Sequence, residues 1–167
     1  GSPLRGFPPR PPSATPFPVV VGSHGLYSSG SSAKQIALAE RLAARGVAFL
    51  RFDHRGCGES AGRFADVTTL EARSRDLLAA AAFLRQREDI GPALGLFGSS
   101  LGGAACMAAW RFLTPRRTVV VAAPCDSRSI LEGAGVEADP GTRELFSAPH
   151  FQFDLAPELP HVRHLLV

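Results

Sequence analysis

A chain of 167 residues can fill one domain with a core of its own, and 45% apolar against 20% charged residues is the balance of a globular protein, not of a disordered or fibrous one. A net charge of +3, with scattered arginines and a single lysine, excludes the basic patch that nucleic-acid binding needs. No apolar run reaches bilayer length, so no membrane span is expected, and the spacing of Cys57, Cys106 and Cys125 fits neither a zinc site nor a C-x-x-C redox pair.

Residues 1–18 are crowded with proline, which removes ladder donors, so a surface connection is expected there, with residues 4–7 as the tail of an earlier strand. Residues 18–22 are short, apolar and β-branched, and read as a buried strand ending at Ser23-His24-Gly25-Leu26. Ser32 and Gln35 form a capping box before a helix whose apolar stripe is Ile36, Ala39, Leu42 and Ala43, with Gly46 as its C-terminal cap. The strand at 47–52 then completes a βαβ unit, which implies parallel pairing. Residues 53–60 form a turn rich in glycine and charge. Thr68 and Glu71 make a second capping box, and Leu77, Ala80, Ala81 and Leu84 face inward on the helix that follows. Gly91-Pro92 closes that connection ahead of a third strand at 93–97. A small-residue helix runs to about Phe112, and a fourth strand spans 118–123. From Asp126 to Pro160 prolines and glycines interrupt the pattern, with short helices around Ser129 and Thr142; this segment, 126–160, is expected over the strand ends as a lid or substrate-side element. His164 opens a fifth strand. Cys106 and Cys125 read as small buried residues and Cys57 as an exposed loop thiol; unpaired thiols suggest a reducing, cytoplasmic setting.

The informative stretch is Gly95-Leu96-Phe97-Gly98-Ser99-Ser100-Leu101-Gly102-Gly103: an apolar strand, a sharp turn and a helix of small residues. In the pattern Gly98-x-Ser100-x-Gly102 the serine would sit at the apex, in a strained conformation that only small neighbours permit. The Leu101 N–H, first in the new helix, would point at whatever Ser100 attacks. Taken alone, the pattern is also that of a glycine-rich turn carrying a serine.

Three ordered motifs, each after a predicted parallel strand, resemble the α/β-hydrolase fold: His24-Gly25; Asp53-His54-Arg55-Gly56-Cys57-Gly58-Glu59-Ser60 as D-x-R-G-x-G-x-S; and the elbow at Ser100. The run from Gly58 to Phe64, then Thr68-Thr69 and a helix carrying Asp76, is similar to the feruloyl/cinnamoyl-esterase-like and acyl-peptidase-like branch. The resemblance covers roughly residues 4–167 and implies one α/β domain, a three-layer sandwich with a mostly parallel sheet and helices on both faces, acting on small esters or amides without cofactor or metal. It implies that Ser100 is the nucleophile, that the N–H groups of Leu26 and Leu101 form an oxyanion hole, that His24 is structural, and that Asp53 and Arg55 brace their turn, with Glu59 solvated.

In this fold the acid and then the histidine follow the serine. The acid usually comes after the strand that His164 opens, and the histidine after the next, so the sequence resembles a domain truncated at both ends. Asp126, after the fourth strand, is an alternative acid or a helix cap before Ser127. His150, His161 and His164 follow Ser100 but none stands at the family's base position. The competing expectation is a non-catalytic hydrolase-like protein for binding or assembly, self-associating through exposed sheet edges. A nucleotide-binding domain is disfavoured, because neither G-x-G-x-x-G nor a P-loop lysine is present.

Overall fold

The computed structural model describes residues 6–7, 16–133 and 140–167. Most of the proline-rich stretch, residues 4–5 of the expected early strand, and residues 134–139 lie outside the described residues.

Six strands form one sheet: β1 (Gly6–Phe7), β2 (Phe17–Ser23), β3 (Ala48–Phe52), β4 (Ile90–Ser99), β5 (Arg117–Val121) and β6 (Leu165–Leu166), in the order β1-β3-β2-β4-β5-β6. β2 to β6 are parallel, and β1 pairs antiparallel with β3. Side chains alternate across the sheet with the two-residue period of a strand. Val21, Leu50, Leu96 and Val120 join one core, while Val20, Phe49, Phe97 and Val119 join the other.

The strand order places the helices. From β2 the chain moves to one side, to β3, by way of α1 (Ala33–Ala43); from β3 it crosses back over β2 to β4 through α2 (Phe64–Val67) and α3 (Leu70–Arg85), and continues through α4 (Leu101–Leu113) to β5. Right-handed crossovers in opposite directions put α1 on one face and α3 with α4 on the other. The larger core lies under α3 and α4, where Leu77, Ala104, Ala105 and Ala109 are wholly buried. Alanines along α4 let it approach α3 and the sheet closely. This is the three-layer architecture implied by the α/β-hydrolase resemblance.

Several local expectations change. The inward stripe of α1 runs through Gln35 and Ala39, and Ile36 is exposed. The reason is Gly22 on β2: a Cβ there would lie 2.3 Å from Gln35 Oε1, so the missing side chain makes the space that the glutamine fills. Ser32 is the N-cap by position, but its side chain makes no capping bond. Gly46, at φ +74°, ends the connection as expected. The cap of α3 is Thr69, whose Oγ1 accepts from the Ala72 N–H at 2.9 Å, while Thr68 is buried one residue earlier. β4 begins at Ile90 and contains Gly91 and Pro92; proline is tolerated because the β2–β4 register shifts between Phe17 and Val19, so no ladder donor is needed there. Cys57 is buried and Cys125 exposed, the reverse of the expectation, because the 53–60 turn folds inward against α3 while Cys125 follows the end of β5.

The segment after β5 carries α5 (Ser127–Gly133), α6 (Pro140–Ser147) and two single 3-10 turns. Phe146, Phe151 and Leu155 anchor it in the larger core. No helix among the described residues is long and apolar enough to cross a membrane.

Candidate active site

β2 and β4 are neighbours whose onward connections leave in opposite directions, and ligands of open α/β sheets bind at such a switch point, beyond the carboxyl ends of the strands. β2 ends level with β4, Ser23 pairing with Gly98. The residues that follow, His24-Gly25 and Ser99-Ser100, therefore meet. A Cβ on Gly25 would lie 3.3 Å from the Ser99 carbonyl oxygen and 3.4 Å from Ser100 Cβ.

Ser100 is exposed and sits between β4 and α4 at φ 51°, ψ −130°, a conformation a non-glycine residue holds only when its surroundings impose it. Three contacts impose it here. The Ser100 N–H donates to the Val121 carbonyl at 2.8 Å, tying the turn to the end of β5. Its own carbonyl accepts from the Gly103 N–H at 2.8 Å, starting the helix. Gly98 and Gly102 supply the clearance: a Cβ on Gly98 would meet the Gly102 carbonyl oxygen at 2.4 Å, and one on Gly102 would meet the Ser23 oxygen at 2.2 Å. Strand, turn and helix pack backbone against backbone. Among the described residues neither the Leu26 N–H nor the Leu101 N–H donates a hydrogen bond.

Beneath the turn lies a buried polar cluster. The Ser23 hydroxyl lies 2.8 Å from His54 Nε2, and His54 Nδ1 lies 3.4 Å from Asp76 Oδ2. The Asp76 carboxylate needs Nδ1 protonated, so Nε2 accepts from Ser23. The His54 N–H donates to His24 Nε2 at 3.1 Å, which leaves His24 Nδ1 to donate to the Gly25 carbonyl at 2.8 Å. Both imidazoles are thus held neutral. Burial, reinforced by the Arg73 charge, pushes His24 down to about 4 and His54 down to about 3. Ser23, His54 and Asp76 have the composition of a catalytic triad, but Ser23 and His54 are wholly buried and reach no substrate.

Arg55 completes the brace. Its Nε and Nη2 donate to Asp76 Oδ1 at 2.9 and 2.6 Å, and its N–H to Oδ2 at 3.0 Å. Burial, the largest influence, opposes ionisation of Asp76, but the bonds from His54 and Arg55 outweigh it and hold the carboxyl below its usual range. Asp53 accepts from the N–H groups of Gly30 at 2.7 Å and Glu59 at 3.0 Å, bonding backbone rather than Arg55.

Sequence reasoning missed His54 and Arg73 and gave Asp76 no role. The signal was present: positions 73, 76, 77, 80, 81 and 84 form one helical stripe, so a charged residue at 73 or 76 points the same way as Leu77. Asp126 accepts from the Ser129 N–H at 2.7 Å and the Ser129 hydroxyl at 3.0 Å at the start of α5; these bonds lower its pKa. The His164 carbonyl accepts from the Thr118 N–H near the start of β5, at the opposite end of the sheet from Ser100. His150 lines a groove with Thr69, Leu78 and Phe112, between α3 and α4. Among the described residues no histidine is bonded to Ser100 or Asp126.

Comparison with known proteins places the chain among hydrolases. The quorum-quenching protein AidA of Acinetobacter baumannii is 34% identical over 96 residues, 56% of this chain and 31% of that protein. The thiohydrolase aneE of Aspergillus aculeatus is 33% identical over 111 residues, 64% of this chain and 34% of that protein. The chain thus spans about a third of the length of these curated relatives. The ferulic-acid-bound structure of Est1E from Butyrivibrio proteoclasticus superposes with a TM-score of 0.70 at 25% identity, covering 84% of this chain and 58% of that one. The profile of the family described as "Serine aminopeptidase, S33" matches residues 14–132, the span that holds β2 to β5 and the Ser100 turn. The α/β-hydrolase chain described here belongs to the serine aminopeptidase family.

Proposed function

We propose that this chain carries the nucleophile and oxyanion half of a serine hydrolase that cleaves small carboxylic esters. The observation behind the reading is the backbone of Ser100, exposed at φ 51°, ψ −130° on the crest between β4 and α4, with Gly25 packed against it.

In the proposed reaction Ser100 Oγ attacks the acyl carbon while a histidine accepts its proton. The N–H groups of Leu26 and Leu101 hold the oxygen that becomes negative; one such donor is worth on the order of 10²–10³ in rate. The tetrahedral intermediate collapses, the leaving alkoxide takes the proton, and the acyl group stays on Ser100. Water, deprotonated by the same histidine, then attacks the acyl-serine and releases the acid. The histidine and its carboxylate partner are proposed to come from chain beyond Val167, with Asp126 as the alternative acid. The family description and the name of the second relative make amides and thioesters the next substrates to try, since both undergo the same acyl transfer.

The test is labelling by a fluorophosphonate probe of a form extended past Val167, with turnover of matched short-chain ester, thioester and anilide substrates. Labelling abolished by Ser100→Ala, with the ester turned over fastest, supports the reading. Labelling that survives Ser100→Ala refutes it, and so does a folded protein that neither labels nor turns over substrate.

A further inference from the structure

Arg73, on the first turns of α3, is 1% exposed. A buried guanidinium ordinarily lies against a carboxylate, because taking a charge out of water is expensive unless it is paired. Among the described residues Arg73 has no ion-pair partner. Its Nη1 instead donates to two backbone carbonyls, His24 at 2.9 Å and Gly25 at 3.4 Å, and its Nη2 reaches Cys57 Sγ at 3.6 Å. Its charge is thus spent on two consecutive peptide groups, while the buried Asp76 carboxylate is paired with Arg55.

The second of these peptides matters. The Gly25 carbonyl belongs to the same planar unit as the Leu26 N–H, and in a trans peptide the two point in opposite directions. Whatever holds the carbonyl sets the aim of the amide. Two donors hold it from the protein side, His24 Nδ1 at 2.8 Å and Arg73 Nη1 at 3.4 Å. Drawing electron density towards that oxygen also makes the N–H at the other end a stronger donor. Gly25 lies against Ser100, so this peptide is next to the nucleophile.

We propose that Arg73 is a positioning residue for the reaction: with His24 it clamps the Gly25–Leu26 peptide so that the Leu26 N–H faces the oxyanion formed at Ser100. The inference rests on the serine hydrolase reading above. An apolar residue of similar length could fill the same volume. Only a cation can donate to both of these carbonyls and at the same time place positive charge behind the amide that meets a developing negative one.

The experiment compares wild-type, Arg73→Met and Arg73→Lys forms of the full-length protein. The readouts are thermal unfolding, kcat and KM on a p-nitrophenyl ester, and inhibition by a trifluoromethyl ketone, whose hemiketal oxygen mimics the oxyanion. Arg73→Met is expected to lower kcat by about 10²-fold with KM held within a few-fold, and to weaken the ketone in parallel. Arg73→Lys, which keeps the charge but loses the reach of the guanidinium and its Nη2 contact to Cys57, is expected to fall between. Folded variants with wild-type kcat, or with KM alone raised, overturn the inference. If Arg73→Met does not fold, Arg73→Lys decides by the same criteria; if neither folds, Arg73 is a folding element and the inference is wrong. A wild-type protein that turns over ester while both variants keep its kcat defeats only this inference. A folded wild-type protein without turnover or Ser100 labelling defeats the parent reading and this inference with it.

Discussion

Gly102→Ala tests whether the site is built by backbone-to-backbone contact. The new Cβ would lie 2.2 Å from the Ser23 oxygen and 2.5 Å from the His24 oxygen, both main-chain atoms at the end of a central strand. Ordinary contact needs about 3.5 Å, so α4 and the His24-Gly25 turn must part by roughly 1 Å. Neither side yields easily: α4 is wedged between α3 and the sheet, and the turn is fastened by Arg73 and His54. Overpacking of this kind costs about 1–3 kcal/mol, or roughly 2–4 °C of Tm per kcal/mol in a domain of this size. The same displacement moves Leu26 away from Ser100, and a 1 Å misplacement of catalytic groups is worth on the order of 10² in rate. Urea unfolding and ester kcat/KM of the Gly102→Ala protein, measured side by side, check both figures. A variant within about 0.5 kcal/mol and two-fold of wild type would show that strand and helix are not in contact through Gly102, and the account of the turn would fail.

Leu77→Ala, in the wholly buried stripe of α3, is expected to cost about 2–5 kcal/mol in urea unfolding with an unchanged m-value; a loss below about 1 kcal/mol would contradict the packing described. Thr69→Ala should cost about 1 kcal/mol by removing the α3 cap, whereas Thr68→Val, which replaces a buried hydroxyl that has no partner among the described residues, should be neutral or stabilising; the reverse ranking would mean that the helix starts one residue earlier. Acid should weaken the fold through His24 and His54. Their folded-state pKa values, about 4 and about 3, lie below the ordinary 6.5, so the unfolded chain binds the extra protons. The stabilisation is whole above pH 6.5 and drains away as pH falls through the folded values, by up to about 1.4 kcal/mol per pH unit for each histidine. Asp76 titrates below its ordinary 3.8 and adds its loss at the acid end of that window. Urea midpoints unchanged between about pH 7 and pH 4.5 would show that the two imidazoles are not held neutral.

Alternation of apolar residues, glycines at strand ends and a serine between two of them are local signals. They are enough to mark the parallel strands, the turn at Ser100 and the helix after it. The same signals misjudged choices that depend on what lies opposite. Gln35 displaced Ile36 from the inward face of α1 because Gly22, thirteen positions earlier, leaves room for an amide. Thr69 displaced Thr68 as a cap because Thr68 closes α2, its N–H donating to the Phe64 carbonyl, and α3 starts only after it.

The hydroxyl on the crest was therefore already specified by the order of residues, since a strained turn flanked by glycine is a property of five consecutive positions. The apparatus that holds its surroundings was decided by tertiary structure. Arg73 and Asp76 look like surface charges on a helix until the Gly25 carbonyl, 48 positions away, and Arg55, 21 positions away, arrive to receive or supply their hydrogen bonds. A charge on an inward stripe is tolerable only if its partner comes from elsewhere in the chain, and the partner's identity is fixed by strand order, which no local pattern encodes.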